Sequence, residues 1–388
     1  MEAIKVPAWK RAVIKVGSAL VAPEGQGCST KHLLALARFI IESRNQGKEI
    51  VVVSSGAVAA GVSTQTPRAR KGPRSIPEKQ ALAAIGQPLL MASWSRFFDF
   101  PCAQLLLTYD DIANRKRYVN AKNTLTKLLE MQVLPIVNEN DTVAVEELKV
   151  GDNDNLAAYV AVLAGADLLI ICSDVDGLFE ADPRLHPDAR PITEVPKINA
   201  DIYALAGGAQ NPLATGGMRT KIAAADKATV RGIDTLILNG TRGENFQDLL
   251  QGSVRGTIFR RTETPLAARK HWLRHSLSVT GRILIDEGAA HALAGRGSSL
   301  LPVGILAVEG EFLPGDAVEV VQHTDGQIRT VARGITQYGA RDLAVIRGRQ
   351  SREIEQLLGY AASDVVIHRD DLVLTGEDPI TYKSTCNR

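Results

Sequence analysis

Two lysines beside small-residue turns are the side chains best suited to chemistry in this sequence. Lys15 lies in a β-branched run just before a glycine, and Lys221 closes the glycine-containing segment 215–221. Two ammonium groups facing such turns suit a phosphoryl group in transfer, whose negative charge is spread over its equatorial oxygens. An aspartate between them, such as Asp154, could hold both ammonium groups in place. These residue types therefore predict phosphoryl transfer.

Two clusters of Asp and Asn side chains lie between the lysines in the chain. The first, 138–141, follows a predicted strand at 133–137, and the second, 151–155, precedes an apolar helical pattern at 156–163. A turn and a helix cap would use some of these side chains, but not all of them. Because open α/β sheets bind ligands at the carboxyl ends of their strands, the clusters predict a site for a polar ligand.

A run of small residues, Ser54-Ser-Gly-Ala57, forms a third candidate site at the end of a predicted strand. Such a turn lets backbone N–H groups approach an anion, although a tight turn alone would also explain it. The sequence contains no P-loop, no G-x-G-x-x-G after a strand and no H-E-x-x-H. Only His32 and His186 precede residue 271, and neither flanks a G-x-S-x-G, so a serine triad is unsupported.

The elements that must position these residues alternate between strand and helix from 12 to 251. The predicted strands are 12–16, 49–54, 103–107, 133–137, 167–173 and 234–239. This order predicts an α/β fold, a three-layer αβα sandwich with a mainly parallel sheet. We assign this first domain to 1–265, with a linker region at 252–281.

A different pattern begins near residue 276, where short strands recur between glycine turns. The predicted strands are 282–285, 304–308, 317–321, 330–333, 343–346 and 365–368. They predict a small, mostly β barrel domain at 276–375. The remaining tail, 376–388, is a candidate for disorder.

Composition narrows the class of protein further. The chain has 388 residues, 45% hydrophobic and 23% charged, with a net charge of +2, so overall charge indicates no strongly charged partner. No two of the four cysteines are two residues apart, which argues against a zinc knuckle or redox pair and suits a reducing cytosol. The first eleven residues lack the apolar run of a secretory signal, and no segment predicts a membrane span. We therefore expect a cytoplasmic protein.

Several motifs stand in order with spacings that match a known family. They are VIKVGS at 13–18, SSGAVAAG at 54–61, NEND at 138–141, KVGDNDN at 149–155, GGMRTK at 216–221, GRGSSLLP at 295–302 and HRDD at 368–371. With them the chain, from about 12 to 373, closely resembles the glutamate 5-kinases, amino acid kinases that carry a C-terminal PUA domain.

The resemblance implies ATP- and Mg²⁺-dependent phosphorylation of the side-chain carboxylate of glutamate, the first step of proline synthesis. It also implies feedback inhibition by proline and a dimer or tetramer. Lys15 and Lys221 resemble the lysines that stabilise the transferring phosphoryl group, and Asp154 the aspartate that orients them. The residues that resemble glutamate contacts are Ser55, Asp141 and Asn153. Those that resemble the ATP site are Lys15, Ser173, Asp174, Thr215, Gly216, Gly217, Met218, Arg219, Thr220 and Lys221.

Ser173 departs from the family pattern, which has threonine more often, but it keeps the hydroxyl. The resemblance assigns no protein ligands to the metal ion. The residue types also favour a free amino acid as substrate, because Asp141 suits an α-ammonium group and repels a carboxylate. An acylated amine would lose that contact.

Two alternatives remain beside this hypothesis. Acetylglutamate kinase, carbamate kinase, uridylate kinase and aspartokinase share the fold and the lysines, so Lys15 and Lys221 do not separate them from the glutamate 5-kinases. The Asp/Asn clusters and the second domain separate the glutamate 5-kinases from these other kinases. PUA domains often bind RNA, so the chain could instead be an RNA-binding regulator. Residues 276–375 contain nine arginines, no lysine and thirteen acidic residues, and this net charge of −4 argues against RNA binding.

Overall fold

The structure is a computed structural model that describes residues 2–23, 27–65, 74–144, 153–206, 217–262, 279–324 and 327–375. The chain divides into two compact units, of which the first comprises 1–113 and 121–265 and the second 114–120 and 266–388. The predicted tail at 376–388 lies outside the described residues. The domain boundaries inferred from the sequence stay a prediction.

Strands and helices alternate through the first unit. Its strands are β1 (Ile4–Lys5), β2 (Arg11–Val16), β3 (Glu49–Ser54), β4 (Cys102–Leu107), β5 (Leu134–Glu139), β6 (Leu168–Ser173), β7 (Leu178–Phe179), β8 (Pro191–Ile192), β9 (Glu194–Val195), β10 (Asp234–Asn239), β11 (Ser253–Val254) and β12 (Gly256–Phe259). Its helices are α1 (Ser18–Val21), α2 (Leu33–Asn45), α3 (Ala57–Val62), α4 (Ile76–Ser95), α5 (Tyr109–Ala113), α6 (Arg115–Glu130, of which 115–120 are grouped with the second unit), α7 (Asn153–Ala164), α8 (Ala200–Leu205), α9 (Met218–Val230) and α10 (Gly243–Leu250).

Eight of these strands form one sheet in the order β4-β5-β3-β2-β6-β10-β12-β9. All neighbouring pairs run parallel except β10 and β12, which run antiparallel. The predicted mainly parallel sheet is therefore confirmed. The chain passes from β2 to β3 on one side, whereas β6 lies on the other side of β2. Such a reversal of strand order opens a crevice at the carboxyl ends of the strands, where α/β proteins bind ligands.

The side chains of the sheet alternate between two layers of helices. On β2, Ala12, Ile14 and Val16 belong to the main apolar core together with residues of α2, α4 and α10. The intervening positions face the opposite layer, where α7 packs against β2 and α9 against β10. Because side chains of a strand point alternately to its two faces, Lys15 projects toward the α7 layer and away from the main core.

Helix α4 is fixed at both its start and its middle. At its N-terminus, Ser75 and Glu78 form a reciprocal capping box that satisfies otherwise unpaired backbone N–H groups. In its middle, α4 approaches α3 so closely that a Cβ on Gly86 would lie 1.8 Å from the carbonyl oxygen of Ala57. Glycine is required at this crossing because any side chain would separate the two helices.

The second unit is built on a five-stranded sheet in the order β14-β13-β15-β16-β17. These strands are β13 (Val279–Ile285), β14 (Ile305–Gly310), β15 (Ala317–Thr324), β16 (Gln327–Ile335) and β17 (Leu372–Leu374). Its helices are α11 (Glu287–Arg296), α12 (Ala340–Ile346) and α13 (Ile354–Leu358), and short 3₁₀ turns occupy Pro302–Gly304, Ser351–Glu353 and Arg369–Asp371. The prediction of a small, mostly β domain is confirmed.

Two predicted strands of this unit are wrong. Residues 343–346 lie in helix α12, where Leu343 and Ile346 are fully buried in the core and Val345 is exposed. This spacing of three residues is close to a helical period, and a four-residue apolar run is too short to show that period in the sequence. Residues 365–368 form only an isolated bridge, between Leu300 and Ile367.

The predicted linker at 252–281 is also partly wrong, because β12 at Gly256–Phe259 pairs with β10 and lies wholly buried inside the large sheet. A four-residue strand after a helix carries too little periodicity to be recognised in sequence. Among the described helices, none combines the length and apolar character needed to cross a lipid bilayer.

Candidate active site

The two predicted lysines converge on one carboxylate. Lys15 Nζ lies 2.6 Å from Oδ1 of Asp154, and Lys221 Nζ lies 3.3 Å from Oδ2 of the same residue. Lys15 comes from the carboxyl end of β2, Asp154 from the first turn of α7 and Lys221 from the first turn of α9. The structure therefore brings these three predicted residues together.

All three charges of this cluster are buried. Asp154 is 0% exposed, Lys15 7% and Lys221 4%. Burial disfavours the ionised carboxylate, but the two ammonium groups outweigh it, so the pKa of Asp154 lies below its ordinary value. The carboxylate is ionised at neutral pH and carries one negative charge against two positive charges. The cluster keeps an excess positive charge in a place that excludes water, where it acts strongly on an anion.

The first turn of α9 adds a second contact to the same carboxylate. The hydroxyl of Thr220 lies 3.0 Å from Oδ2 of Asp154 and 2.8 Å from the carbonyl oxygen of Gly217, the N-cap residue. Met218 and Arg219 complete this turn, in which Arg219 is exposed. The positive end of the α9 dipole therefore lies beside Lys221. The predicted residues Thr215 and Gly216 lie outside the described residues.

Asn153, the neighbour of Asp154, joins the turn that follows β3. Its Nδ2 donates to the carbonyl oxygen of Ser54 at 3.1 Å, to Oγ of Ser55 at 3.0 Å and to Oδ1 of Asn138 at 2.9 Å. We expected Asn153 to be a helix cap or a ligand contact, and among the described residues its amide group caps no backbone N–H of α7. The structure brings two predicted substrate residues, Ser55 and Asn153, into direct contact.

A backbone hydrogen bond joins the turn at 54–57, the Ser55 turn, to the strand that carries Lys15. The backbone N–H of Ser55 donates to the carbonyl oxygen of Val16 at 3.0 Å, one residue beyond Lys15. The next residue, Gly56, has φ +112°, and a Cβ there would lie 2.7 Å from Val21. Glycine is needed for both reasons, its left-handed backbone and the lack of space.

Asp141 lies in the turn that follows β5 and is half-buried. It lines a pocket of about 200 Å³ whose walls come from α4, β4 and the 139–142 turn. The lining residues are Ala83, Ala84, Gln87, Pro88, Gln104, Leu106, Glu139, Asn140, Asp141 and Thr142. Neither Ser55 nor Asn153 lines this pocket.

Ser173 and Asp174 stand at the carboxyl end of β6, the strand next to β2. The hydroxyl of Ser173 donates to Oδ1 of Asp174 at 3.1 Å. The preceding residue, Cys172, is fully buried, and burial raises the pKa of its thiol to about 12, although Lys15 opposes the shift. Cys172 is thus protonated at neutral pH and unsuited to act as a nucleophile.

Gln87 and Trp94 also hydrogen-bond to residues of this site, and the sequence analysis predicted neither of them. Gln87 on α4 accepts a hydrogen bond from Nδ2 of Asn138 at 2.8 Å, and Trp94 donates to Oγ of Ser54 at 2.9 Å. The available signal was a glutamine in an otherwise small and apolar stretch, ALAAIGQPLL at 81–90. Nothing in the order of residues indicated that its partner would be Asn138.

In comparisons with known proteins, residues 10–239 match the amino acid kinase family, and residues 281–358 match the PUA domain. The glutamate 5-kinase of Salinibacter ruber is 60% identical over 377 residues, which are 96% of this chain and the whole of that relative. The glutamate 5-kinase of Idiomarina loihiensis is 53% identical over 371 residues, 96% of this chain and 99% of that relative.

Among solved structures, the chain is similar to the carbamate kinase of Giardia lamblia bound to AMP-PNP. The sequences are 20% identical, the TM-score is 0.46, and the match covers 66% of this chain and 99% of that one.

Proposed function

Because the chain belongs to the amino acid kinase family, we propose that it transfers the terminal phosphoryl group of ATP to the side-chain carboxylate of L-glutamate. A carboxylate oxygen of glutamate attacks the γ-phosphorus, and the bond from that phosphorus to the oxygen bridging it to the β-phosphate breaks. The products are L-glutamyl 5-phosphate and ADP. In the cell this reaction is the first step of proline synthesis.

The observation that carries the proposal is the buried pair of lysines held by one aspartate. A glutamate carboxylate is already an anionic nucleophile, so the reaction needs positioning and charge stabilisation rather than a general base. Lys15 and Lys221 supply positive charge to the transferring group, and Asp154 fixes both ammonium groups before the substrates arrive. The cluster needs no reorganisation during the reaction, which is where preorganised charges gain their effect.

The proposed glutamate subsite is formed by Ser55, Asn153 and Asp141. Asp141 suits the α-ammonium group of a free amino acid, because its carboxylate would repel a second carboxylate. Ser55 and Asn153 offer a hydroxyl and an amide carbonyl as polar contacts. An N-acylated substrate would lose the charge pair with Asp141, and this difference favours glutamate over acetylglutamate.

The proposed nucleotide subsite lies on the other side of the lysines. It comprises Lys15, Ser173 and Asp174 with the segment 215–221. The backbone N–H groups in the N-terminal turn of α9 point toward the start of the helix, and N–H groups in this position suit phosphate oxygens. Mg²⁺ would arrive with ATP, since this ion is held in kinase sites largely by phosphates and waters. Among the described residues, no group of three His, Cys, Asp or Glu side chains forms a separate ligand set.

Three further properties belong to the same proposal. We infer inhibition by proline, assembly as a dimer or tetramer, and a cytoplasmic location. They rest on the glutamate 5-kinase relatives and on no contact within this chain. The PUA domain is proposed to act on regulation or assembly rather than on the chemistry.

The test is an assay of ATP consumption with glutamate, acetylglutamate, aspartate, carbamate and UMP in parallel. Hydroxylamine in the mixture would trap an acyl phosphate as a hydroxamate. We expect hydroxamate formation with glutamate at a rate well above that with the other four. Preferential turnover of acetylglutamate, or ATP consumption without hydroxamate, would exclude the proposal.

A further inference from the structure

A row of side-chain amides runs from the candidate glutamate subsite into the pocket beside α4. Asn153 donates to Asn138, Asn138 donates to Oε1 of Gln87 at 2.8 Å, and Nε2 of Gln87 lies 3.3 Å from Oε1 of Gln104. The three inner members are nearly inaccessible, with exposures of 7% for Asn153, 3% for Asn138 and 8% for Gln87. Gln104, at the outer end, is exposed.

The carbonyl oxygen of Ser54 at one end of this row and Oε1 of Gln87 toward the other end require the same direction of hydrogen bonding. The carbonyl oxygen of Ser54 can only accept a hydrogen bond, so the group of Asn153 that faces it must be the NH₂. Oδ1 of Asn138 must then accept from Asn153, which turns its own NH₂ toward Gln87. Each amide therefore has one allowed orientation, and a flip of any inner member would bring two oxygens or two NH₂ groups together.

The fixed direction of the row determines where the carbonyl oxygen of Asn153 points. With its NH₂ engaged by Ser54, Ser55 and Asn138, its Oδ1 points away from them, and among the described residues it has no hydrogen-bond partner. This oxygen is available to accept from a substrate N–H group. An amide free to rotate would present its NH₂ to an ammonium group for part of the time, and that contact is repulsive.

We propose that Gln87 is a positioning residue for the amino acid substrate. Gln87 keeps Oδ1 of Asn138 turned toward Asn153, and this second anchor beside Ser54 holds Oδ1 of Asn153 toward the substrate's α-ammonium group. This inference rests on the proposed function, since it assumes that Asn153 contacts glutamate. Among the described residues, no hydrogen bond or ion pair joins Gln87 to the lysine cluster, so we expect it to affect substrate affinity and not the stabilisation of the transferring phosphoryl group.

The close packing of the helix backbone beside Gln87 suits this role. The residue before it, Gly86, packs directly against the backbone of Ala57, and a Cβ on Gly61 would lie 2.0 Å from the carbonyl oxygen of Leu82. Helices α3 and α4 thus touch backbone to backbone at this level. Helix α3 begins directly after the Ser55 turn, so Gln87 and the turn that it serves are held in one rigid arrangement.

The test is steady-state kinetics of Gln87→Met, which keeps the volume and removes the amide. We expect KM for glutamate to rise about three- to tenfold, the range for loss of one hydrogen bond, while KM for ATP and kcat stay within about twofold. Gln80→Met is the matched control, because Gln80 is a half-buried glutamine on the same helix whose described partner is the carbonyl oxygen of Ala144 and no member of the row. An equal rise in both variants would assign the effect to α4 as a whole and overturn the proposal.

A double variant separates this path from a general loss of structure. In an Asn153→Ala background, Gln87→Met should raise KM for glutamate no further, because the residue through which it acts is gone. Multiplying effects, or an unchanged KM in Gln87→Met alone, would refute the inference. Both outcomes require glutamate turnover by the wild type, so a wild type that is inactive on glutamate refutes the proposed function instead.

Discussion

Asn153 and Asp154 are neighbours in the first turn of α7, yet their side chains join different clusters. The amide of Asn153 donates to the Ser54–Ser55 turn, whereas the carboxylate of Asp154 holds Lys15 and Lys221. Successive residues of a helix point about 100° apart, so one turn can serve two subsites. This arrangement fixes the proposed glutamate subsite and the proposed phosphoryl subsite relative to each other.

The lysines should affect turnover. If Lys221 supplies positive charge to the transferring phosphoryl group as proposed, Lys221→Ala should lower kcat by roughly 10² to 10³, as loss of one oxyanion donor does. Lys15→Ala should have an effect of the same size. Thermal unfolding would establish that the variants remain folded. A folded Lys221→Ala enzyme with near-normal kcat would contradict the assignment.

The substrate residues should affect KM instead. Asp141→Asn removes the proposed partner of the α-ammonium group, and Asn153→Ala removes an amide that the substrate would otherwise contact. We expect KM for glutamate to rise by roughly tenfold or more in each variant, with KM for ATP changed far less. The two constants are measured by varying one substrate at saturation of the other. If KM for ATP rose more, the two subsites would have to be exchanged.

Asp154 should show its effect in the pH dependence of stability. Its pKa is lower in the folded chain than the ordinary 3.8, so its ionisation favours folding above pH 3.8, and this contribution is lost as pH falls through the lower folded pKa. Asp154→Asn leaves two buried ammonium groups without their carboxylate and should cost about 3–5 kcal/mol at neutral pH. The free energy of unfolding is measured for the wild type and for Asp154→Asn from pH 7 to pH 3. We expect the gap between the two values to stay constant and to narrow only below pH 3.8. A gap that closes between pH 7 and 5 would point to another group.

Adding a single methyl group at Gly86 should lower the stability of the folded chain. A Cβ there would lie 1.8 Å from the carbonyl oxygen of Ala57, so Gly86→Ala must push α4 away from α3 at a cost of about 1–3 kcal/mol. Gly295→Ala is the control, because a Cβ on Gly295 would meet no described atom within 4 Å, and alanine at this position in α11 should stabilise the helix slightly. Denaturant unfolding of both variants measures the difference. Equal stabilities would show that the crossing can relax.

The full chain should bind RNA weakly at most. Residues 276–375 carry a net charge of −4, whereas RNA affinity that is independent of sequence comes largely from lysine and arginine contacts to phosphates. Filter binding at about 50 mM and about 200 mM salt would measure both the affinity and its salt dependence. Tight binding that falls steeply with salt would reveal a basic surface that the net charge conceals.

The sequence by itself determined the order of elements in the first unit and the residue types of the site. Buried parallel strands appear as short β-branched runs, and helices as apolar repeats of longer period, so both signals are local. These local signals were misleading at 343–346, where a short apolar run lies in a helix because Leu343 and Ile346 are buried one turn apart. Packing against the rest of the second unit outweighed local preference there.

Only the tertiary structure decided which side chains meet. Lys15, Asp154 and Lys221 come from three elements far apart in the chain, and the order β3-β2-β6 with its covering helices brings them together. The contact between Gln87 and Asn138 likewise depends on how α4 crosses the sheet, which two glycines on facing helices permit. Composition and spacing give the chemistry that each residue can perform. Distances between residues of separate elements arise from close packing of the whole unit, and no local pattern encodes them.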